Sequence, residues 1–287
     1  MISIIMPTHE CPPLLDITLI SVFSQNYDDW ELVVMDASEN KYFESKLDEL
    51  SKTSGLLCAY KDKLEKIKIV KPLKNTGYPG HMKMEGFRSC AQDNGFCVFL
   101  DHDDMLMPNL LKNIHDALNL YPNTEMITTD YTSFCYNKGN VRPNLVSYMG
   151  GTPNGKIKKL QFGNFYYVFE NCPLTKWTNF HSWKACMTPK ILAKDALRRN
   201  AFFFVEDTLL MDDVTFPVAT NSISETSIDM VGYVYVVYFD YTQNSSTKAE
   251  VSKLAKELGS CCEEYQKFLD KTGFIKKRNF YIPKTNI

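Results

Sequence analysis

Phe96-Cys97-Val98-Phe99-Leu100-Asp101-His102-Asp103-Asp104 is the stretch that decides the fold. Its first five residues are apolar and read as a buried strand. Its last four crowd three carboxylates at the strand's carboxyl end, where they repel one another and lose hydration. A divalent cation removes that cost. Oxygen ligands suit Mg²⁺ or Mn²⁺, which bind one or two carboxylates and take further oxygens from a substrate phosphate. The stretch therefore points to a metal–diphosphate site. The alternative is that Asp103 or Asp104 caps the helix expected to start near Pro108.

Strand signals recur on the amino-terminal side. Ile2 to Met6 is an apolar run stopped by Pro7 and Thr8, and Leu14 to Phe23 has the spacing of an amphipathic helix. Trp30 to Met35 is a second strand ending at Asp36, residues 41–66 read as helix plus loop, and Ile67 to Val70 is a third strand. A turn with Pro72, Asn75, Gly77, Pro79 and Gly80 precedes a helix over Met82 to Asp93. Alternating strands and helices imply a mostly parallel sheet flanked by helices, an α/β, Rossmann-like architecture. Such sheets bind ligands outside the carboxyl ends of their strands, near the point where strand order reverses. Pro7–Glu10, Asp36, Asn75–Gly80 and Asp101–Asp104 each follow a strand, so four polar loops are expected to share one edge.

Past Pro108 the pattern loosens. Leu110 to Leu120 reads as a helix and Glu125 to Tyr131 as a strand. Residues 137–165 are rich in Gly, Asn and Pro and read as long loops, a candidate lid. Phe202 to Val205 and Val231 to Phe239 read as strands, Lys248 to Leu269 as a helical tail, and the last dozen residues as a basic, aromatic segment.

The bulk composition is that of a globular chain: 287 residues, 44% hydrophobic and 23% charged, with a net charge of −2. That balance argues against a protein built mainly on attraction to phosphate backbones. Local basic clusters do occur, at Lys156, Lys158 and Lys159, at Lys194, Arg198 and Arg199, and at Lys276, Lys277 and Arg278. Nine irregularly spaced cysteines with no CxxC pair fit a reducing compartment better than a disulfide framework or a zinc site. Neither a leader peptide nor an apolar stretch of about twenty residues is evident. The expectation is a soluble, cytoplasmic protein without membrane insertion.

Taken in order, these segments resemble family-2 glycosyltransferases with the GT-A fold. Ile2-Ser3-Ile4-Ile5-Met6-Pro7-Thr8-His9 is similar to that family's opening strand and turn, and Ser21-Val22-Phe23-Ser24-Gln25-Asn26-Tyr27 to its first-helix signature. Val33-Val34-Met35-Asp36-Ala37-Ser38 resembles the strand end that holds the nucleotide base, and Asn75-Thr76-Gly77 the turn before the third helix. Leu100-Asp101-His102-Asp103-Asp104 matches the DxD metal motif with its trailing aspartate. Glu206-Asp207 resembles the downstream acidic pair, and Tyr238 with Ser245-Ser246-Thr247 the closing segment, so the likeness spans roughly residues 1–250. Two positions depart from the pattern. Met35 stands where an acidic residue is usual, and Pro79 to Gly86 replaces the usual Ala-Arg-Asn. The arginine that steadies the donor is thus missing; Lys83 is the substitute, with Arg88 the alternative.

The resemblance implies an inverting, metal-dependent glycosyltransferase that moves a sugar from a nucleotide diphosphate, a UDP-sugar, to an acceptor hydroxyl. Asp103 would be the direct ligand of Mn²⁺ or Mg²⁺, and Asp101 would support metal or ribose. Pro7, Thr8, Glu10, Asp36, Asn75, Gly77 and Lys83 would line the donor site, with Asp36 accepting from a uracil N–H. Asp207 would be the general base and Glu206 its support; burial after an apolar strand raises a carboxylate's proton affinity toward a useful range. Asp212-Asp213 is the competing pair. His181 and Trp183, in the aromatic stretch from Trp177 to Trp183, would meet the acceptor, or else belong to an ordinary core segment. Residues 1–245 would form the GT-A domain, with 1–107 the nucleotide-binding half and 108–245 the acceptor half, followed by a helix and basic tail over 246–287.

Three acceptor classes stay open: a glycan, a protein side chain or a hydroxylated DNA base. Two other functions compete. A nucleotidyltransferase shares the acidic residues and the cation but usually carries a glycine-rich phosphate loop after its first strand, where this chain has Pro7-Thr8-His9-Glu10. A catalytically inactive nucleotide-sugar-binding protein is the other; the intact acidic motifs argue against it.

Overall fold

A computed structural model of the chain describes residues 1–10, 14–73, 79–90 and 95–124, and beyond them the backbone of the strands named below. The elements run β1 (Ile2–Thr8), α1 (Leu15–Phe23), β2 (Trp30–Asp36), α2 (Tyr42–Ser51), a 3-10 segment (Cys58–Lys66), β3 (Ile67–Val70), α3 (Pro79–Arg88), β4 (Phe96–Phe99), β5 (Met105–Leu106) and α4 (Leu110–Leu120). They continue with β6 (Met126–Asn137), β7 (Asn140–Tyr148), β8 (Ile157–Leu160), β9 (Tyr166–Phe169), β10 (Ala185–Pro189), β11 (Thr226–Tyr238) and β12 (Lys277–Phe280).

The main sheet has the order β12-β11-β6-β10-β4-β1-β2-β3, with β5 paired to β11 and β7 to β6. β3, β2, β1 and β4 are mutually parallel, while β10 runs antiparallel between β4 and β6. The chain steps outward from β1 to β2 and β3, then returns to place β4 on the other side of β1. Strand order therefore reverses between β1 and β4, the crevice where open α/β sheets hold ligands.

Every residue of β1 is buried, which explains its unbroken apolar run; a strand covered on both faces has no solvent side to alternate toward. One face carries Ile2, Ile4, Met6, Leu32 and Val34 against α1, α2 and α4, including Leu15, Leu19, Phe23, Phe43 and Ile114. The other carries Val33, Met35 and Ala37 against Met82 of α3. Each such buried aliphatic side chain contributes about 1.5–3 kcal/mol. α3 comes unusually close, because a Cβ on Gly86 would stand 2.6 Å from Ile5 Cγ2 and 2.8 Å from Met35 Cγ.

At the amino edge of the sheet, away from this crevice, Lys63 pairs with Asp28 at 3.0 Å and holds its carboxyl below the usual carboxylate range.

Several elements differ from the sequence reading. Residues 137–165 contain β7 and β8 rather than loop alone. β7 forms a hairpin with β6, Pro143 lying opposite Phe134; among the described residues β7 pairs with β6 alone, and an edge strand tolerates a proline. β6 runs on to Asn137 because β7 and β11 both pair with it. The tail contributes β12, parallel to β11, so residues 277–280 of the basic, aromatic segment join the main sheet. The expected helix over 248–269 and strand over 202–205 lie outside the described residues. No helix among the described residues is long and apolar enough to cross a membrane.

Candidate functional site

Register brings the strand ends level. Thr8 of β1 pairs with Asp36 of β2, and Met35 pairs with Val70, which sets Lys71 beside Asp36. On the other side the pairing of β1 and β4 ends at Ile5 and Phe99. Leu100 N still donates to Ile5 O at 3.0 Å, so odd-numbered residues of β1 turn their backbone groups toward β4. Pro7 falls on that side just where β4 has ended; it has no N–H to leave unpaired. The turn Asp101–Asp104 occupies the resulting notch and is closed by Asp104 N donating to Asp101 O at 3.1 Å.

A row of hydrogen bonds runs along this edge. Lys71 Nζ lies 2.6 Å from Asp36 Oδ2, and Asp36 Oδ1 accepts from Ser38 N at 3.0 Å. Glu10 N donates to Ser38 Oγ at 2.8 Å, and Thr8 Oγ1 donates to Glu10 O at 3.2 Å. Thr8 Oγ1 also lies 2.9 Å from His102 Nδ1. Glu10 adopts φ 57°, the left-handed region that a non-glycine residue seldom takes, and the bonds from Thr8 and to Ser38 hold it there. Asp36 is fully buried while the Lys71 side chain is 48% exposed, so the cation is the partner presented to the edge.

The acidic turn has a cation of its own. Lys83 Nζ sits 2.8 Å from Asp101 Oδ1, with side-chain exposures of 10% and 28%. α3 delivers it: Gly86 lets the helix lie against β1 and β2, and Lys83 is one turn earlier. Arg88, the alternative read from the sequence, is exposed near the other end of α3.

α1 fixes the chain downstream of the turn. Thr18 Oγ1 donates to His102 O at 3.1 Å, and Leu106 N donates to Ser21 Oγ at 3.1 Å. Gln25, buried, donates to Met107 O at 2.8 Å and accepts from Leu111 N at 3.1 Å. Asn26 N donates to Pro108 O at 3.1 Å and Asn26 Nδ2 to Asn109 Oδ1 at 2.7 Å. The polar positions of the segment Ser21–Asn26 thus serve as a clamp on residues 106–111. On the far side of the turn, β5 pairs with β11 through Leu106–Tyr233 and Met105–Val234.

Of the residues singled out from sequence, Pro7, Thr8, Glu10, Asp36, Lys83, Asp101 and Asp103 gather at this one edge. Asn75, Gly77, His181, Trp183, Glu206 and Asp207 lie outside the described residues. Lys71, Ser38 and His102 join the site from the structure. Lys71 had a usable signal, being the first residue after β3; His102 had none beyond its place between two aspartates.

A divalent cation suits the donor chemistry of Asp101 and Asp103, both only partly buried. Among the described residues no three His, Cys, Asp or Glu side chains form a complete cage. Two carboxylates that leave the remaining oxygens to a substrate phosphate are the arrangement Mg²⁺ and Mn²⁺ take.

The profile described as glycosyl transferase family 2 matches residues 3–194. No curated protein matches the chain by sequence. Among solved structures, S. aureus TarS 1-349 in complex with UDP-GlcNAc is similar with a TM-score of 0.59 and 14% identity, over 92% of this chain and 66% of that one. Mannosyltransferase PcManGT from Pyrobaculum calidifontis in complex with GDP-Man and Mn²⁺ has a TM-score of 0.51 and 15% identity, over 91% of this chain and 62% of that one. GalNAc-T7 with UDP, GalNAc and Mn²⁺ has a TM-score of 0.52 and 13% identity, over 95% and 56%. The chain spans less than two thirds of the length of each, and at these identities the likeness establishes the fold, GT-A.

Proposed function

This chain belongs to glycosyl transferase family 2, and we propose that it moves a sugar from a nucleotide diphosphate donor to an acceptor hydroxyl. The observation that carries the reading is the convergence of the Lys71–Asp36 pair, the Thr8 loop and the acidic turn at the switch point between β1 and β4. A donor would lie along that edge with its base by Lys71 and Asp36 and its diphosphate by Asp101, Asp103 and Lys83. Lys83 supplies positive charge to the phosphate end, in place of the family's arginine. The buried Asp36 aims Lys71, whose N–H groups suit a carbonyl oxygen of the base; uracil offers such an oxygen, and the UDP and UDP-GlcNAc complexes of similar folds support a uridine donor.

Mn²⁺ or Mg²⁺, held by Asp103 with support from Asp101, would neutralise the departing diphosphate. Asp207 is assigned as the base that takes the acceptor proton, with Glu206 beside it, and His181 and Trp183 as acceptor contacts. One base and one displacement invert the anomeric centre. Residues 1–107 are taken as the donor half and 108–245 as the acceptor half. Glycan, protein and hydroxylated DNA base remain the candidate acceptors, and graded-salt binding to duplex DNA separates the last from the others.

The test is a screen of UDP-sugars and GDP-mannose for nucleotide release with Mn²⁺ present. A UDP-sugar should be turned over, chelation should stop the release, and Asp103→Ala should be inactive. Undiminished release by Asp103→Ala would reject the metal assignment.

A further inference from the structure

His102 occupies the position of the acidic motif where any residue is expected, yet it has two separate ties. Its carbonyl accepts from Thr18 Oγ1 of α1 at 3.1 Å, which already fixes the backbone of the turn. Its ring reaches the other way, with Nδ1 2.9 Å from Thr8 Oγ1 on the end of β1. The Thr8 hydroxyl has a single proton, and that proton is directed to Glu10 O at 3.2 Å. The row is continuous in the tautomer whose Nδ1–H donates to the threonine oxygen, which leaves the Thr8 proton on Glu10 O. Thr8 is buried, so its hydroxyl is engaged within the protein rather than offered to a ligand. From Thr8 the row continues through Glu10, Ser38 and Asp36 to Lys71.

We infer that His102 is a positioning residue that latches the metal-binding turn to the base-binding row through its Nδ1–H bond to Thr8. This rests on the donor-site reading above. The latch fixes the separation between the two ends of the site, so that nucleoside and diphosphate engage together. Its loss leaves each end formed but lets them drift relative to one another. The signature is a weakened coupling between cation and nucleotide, distinct from general loss of stability.

The experiment measures UDP affinity by calorimetry with and without MnCl₂, alongside thermal midpoints, for the wild type and for His102→Ala, His102→Asn, His102→Gln and Thr8→Val. Asparagine places its Nδ2 donor near the site of histidine Nδ1, whereas glutamine carries its donor out toward Nε2. In the wild type Mn²⁺ should tighten UDP binding. His102→Ala and His102→Gln should lower that enhancement about threefold to tenfold, the worth of one hydrogen bond, and His102→Asn should keep it. Thr8→Val reports the same contact from the other side, at nearly unchanged volume, should His102→Ala not fold. An enhancement unchanged in both His102→Ala and Thr8→Val overturns the inference, as does one kept by His102→Gln and lost by His102→Asn. A wild type whose UDP binding ignores Mn²⁺ overturns the donor-site reading itself and the latch with it.

Discussion

Lys83 Nζ and Asp101 Oδ1 meet at 2.8 Å, joining the inner face of α3 to the turn that follows β4. A carboxylate of the acidic turn is thereby neutralised from the protein side, leaving the turn less repulsive toward a phosphate. Lys83→Met keeps the stem's packing and removes the charge. Donor KM should rise roughly tenfold or more, as for a lost charge-assisted hydrogen bond, while Lys83→Arg retains part of the affinity. Initial rates over a range of UDP-sugar concentrations check both.

Gly86 sets how close that lysine comes. A methyl group there meets Ile5 Cγ2 at 2.6 Å, and a β-branched residue inside a strand has little room to turn away. Gly86→Ala gains helix propensity of about 1 kcal/mol, yet overpacking of this kind costs about 1–3 kcal/mol. The expected outcome is a net lower urea midpoint together with weaker UDP binding, because α3 must lift and carry Lys83 with it. A more stable variant with unchanged binding would show that the close approach is not needed.

Gln25 bridges Met107 O and Leu111 N from a buried position. Gln25→Ala removes the partner of Leu111 N, which costs about 1–3 kcal/mol, while Met107 O keeps its bond from Leu110 N. Denaturant unfolding should show the loss. Gln25→Glu keeps the acceptor for Leu111 N but buries a carboxylate facing Met107 O and Ser21 O, so it should cost at least as much as Gln25→Ala.

Asp207 follows the apolar run Phe202–Val205 and is proposed as the base. Asp207→Asn should lower transfer at least about 100-fold, the usual contribution of a positioned base. UDP affinity should stay within about twofold of the wild type. Calorimetry showing lost UDP binding instead would move Asp207 from the acceptor side to the donor side.

Much of this polar edge was legible in the chain itself. An apolar run ended by a polar residue marks a strand and its carboxyl end, and in a parallel sheet those ends share one side. Thr8, Asp36 and the Asp101–Asp104 turn could therefore be grouped from local pattern alone. The helix over Leu110–Leu120 was equally plain, since its buried residues Leu110, Leu111, Ile114 and Ala117 repeat at helical spacing. The loop reading of residues 137–165 missed β7 and β8 because Gly, Asn and Pro describe local turn preference. β7 owes its strand to pairing with β6, which no local composition reports.

Local pattern determined which segments become strands and helices, because burial on a sheet or helix face writes its period into consecutive residues. Which side chains meet was decided by the tertiary structure, because that depends on register and on how closely elements approach. Thr8 and His102 lie 94 positions apart and touch only because β4 returns beside β1. Lys71 reaches Asp36 only because β3 pairs with β2 one residue short of the strand's end. Lys83 reaches Asp101 only because α3 presses Gly86 onto Ile5 and Met35, turning that face of the helix toward the acidic turn.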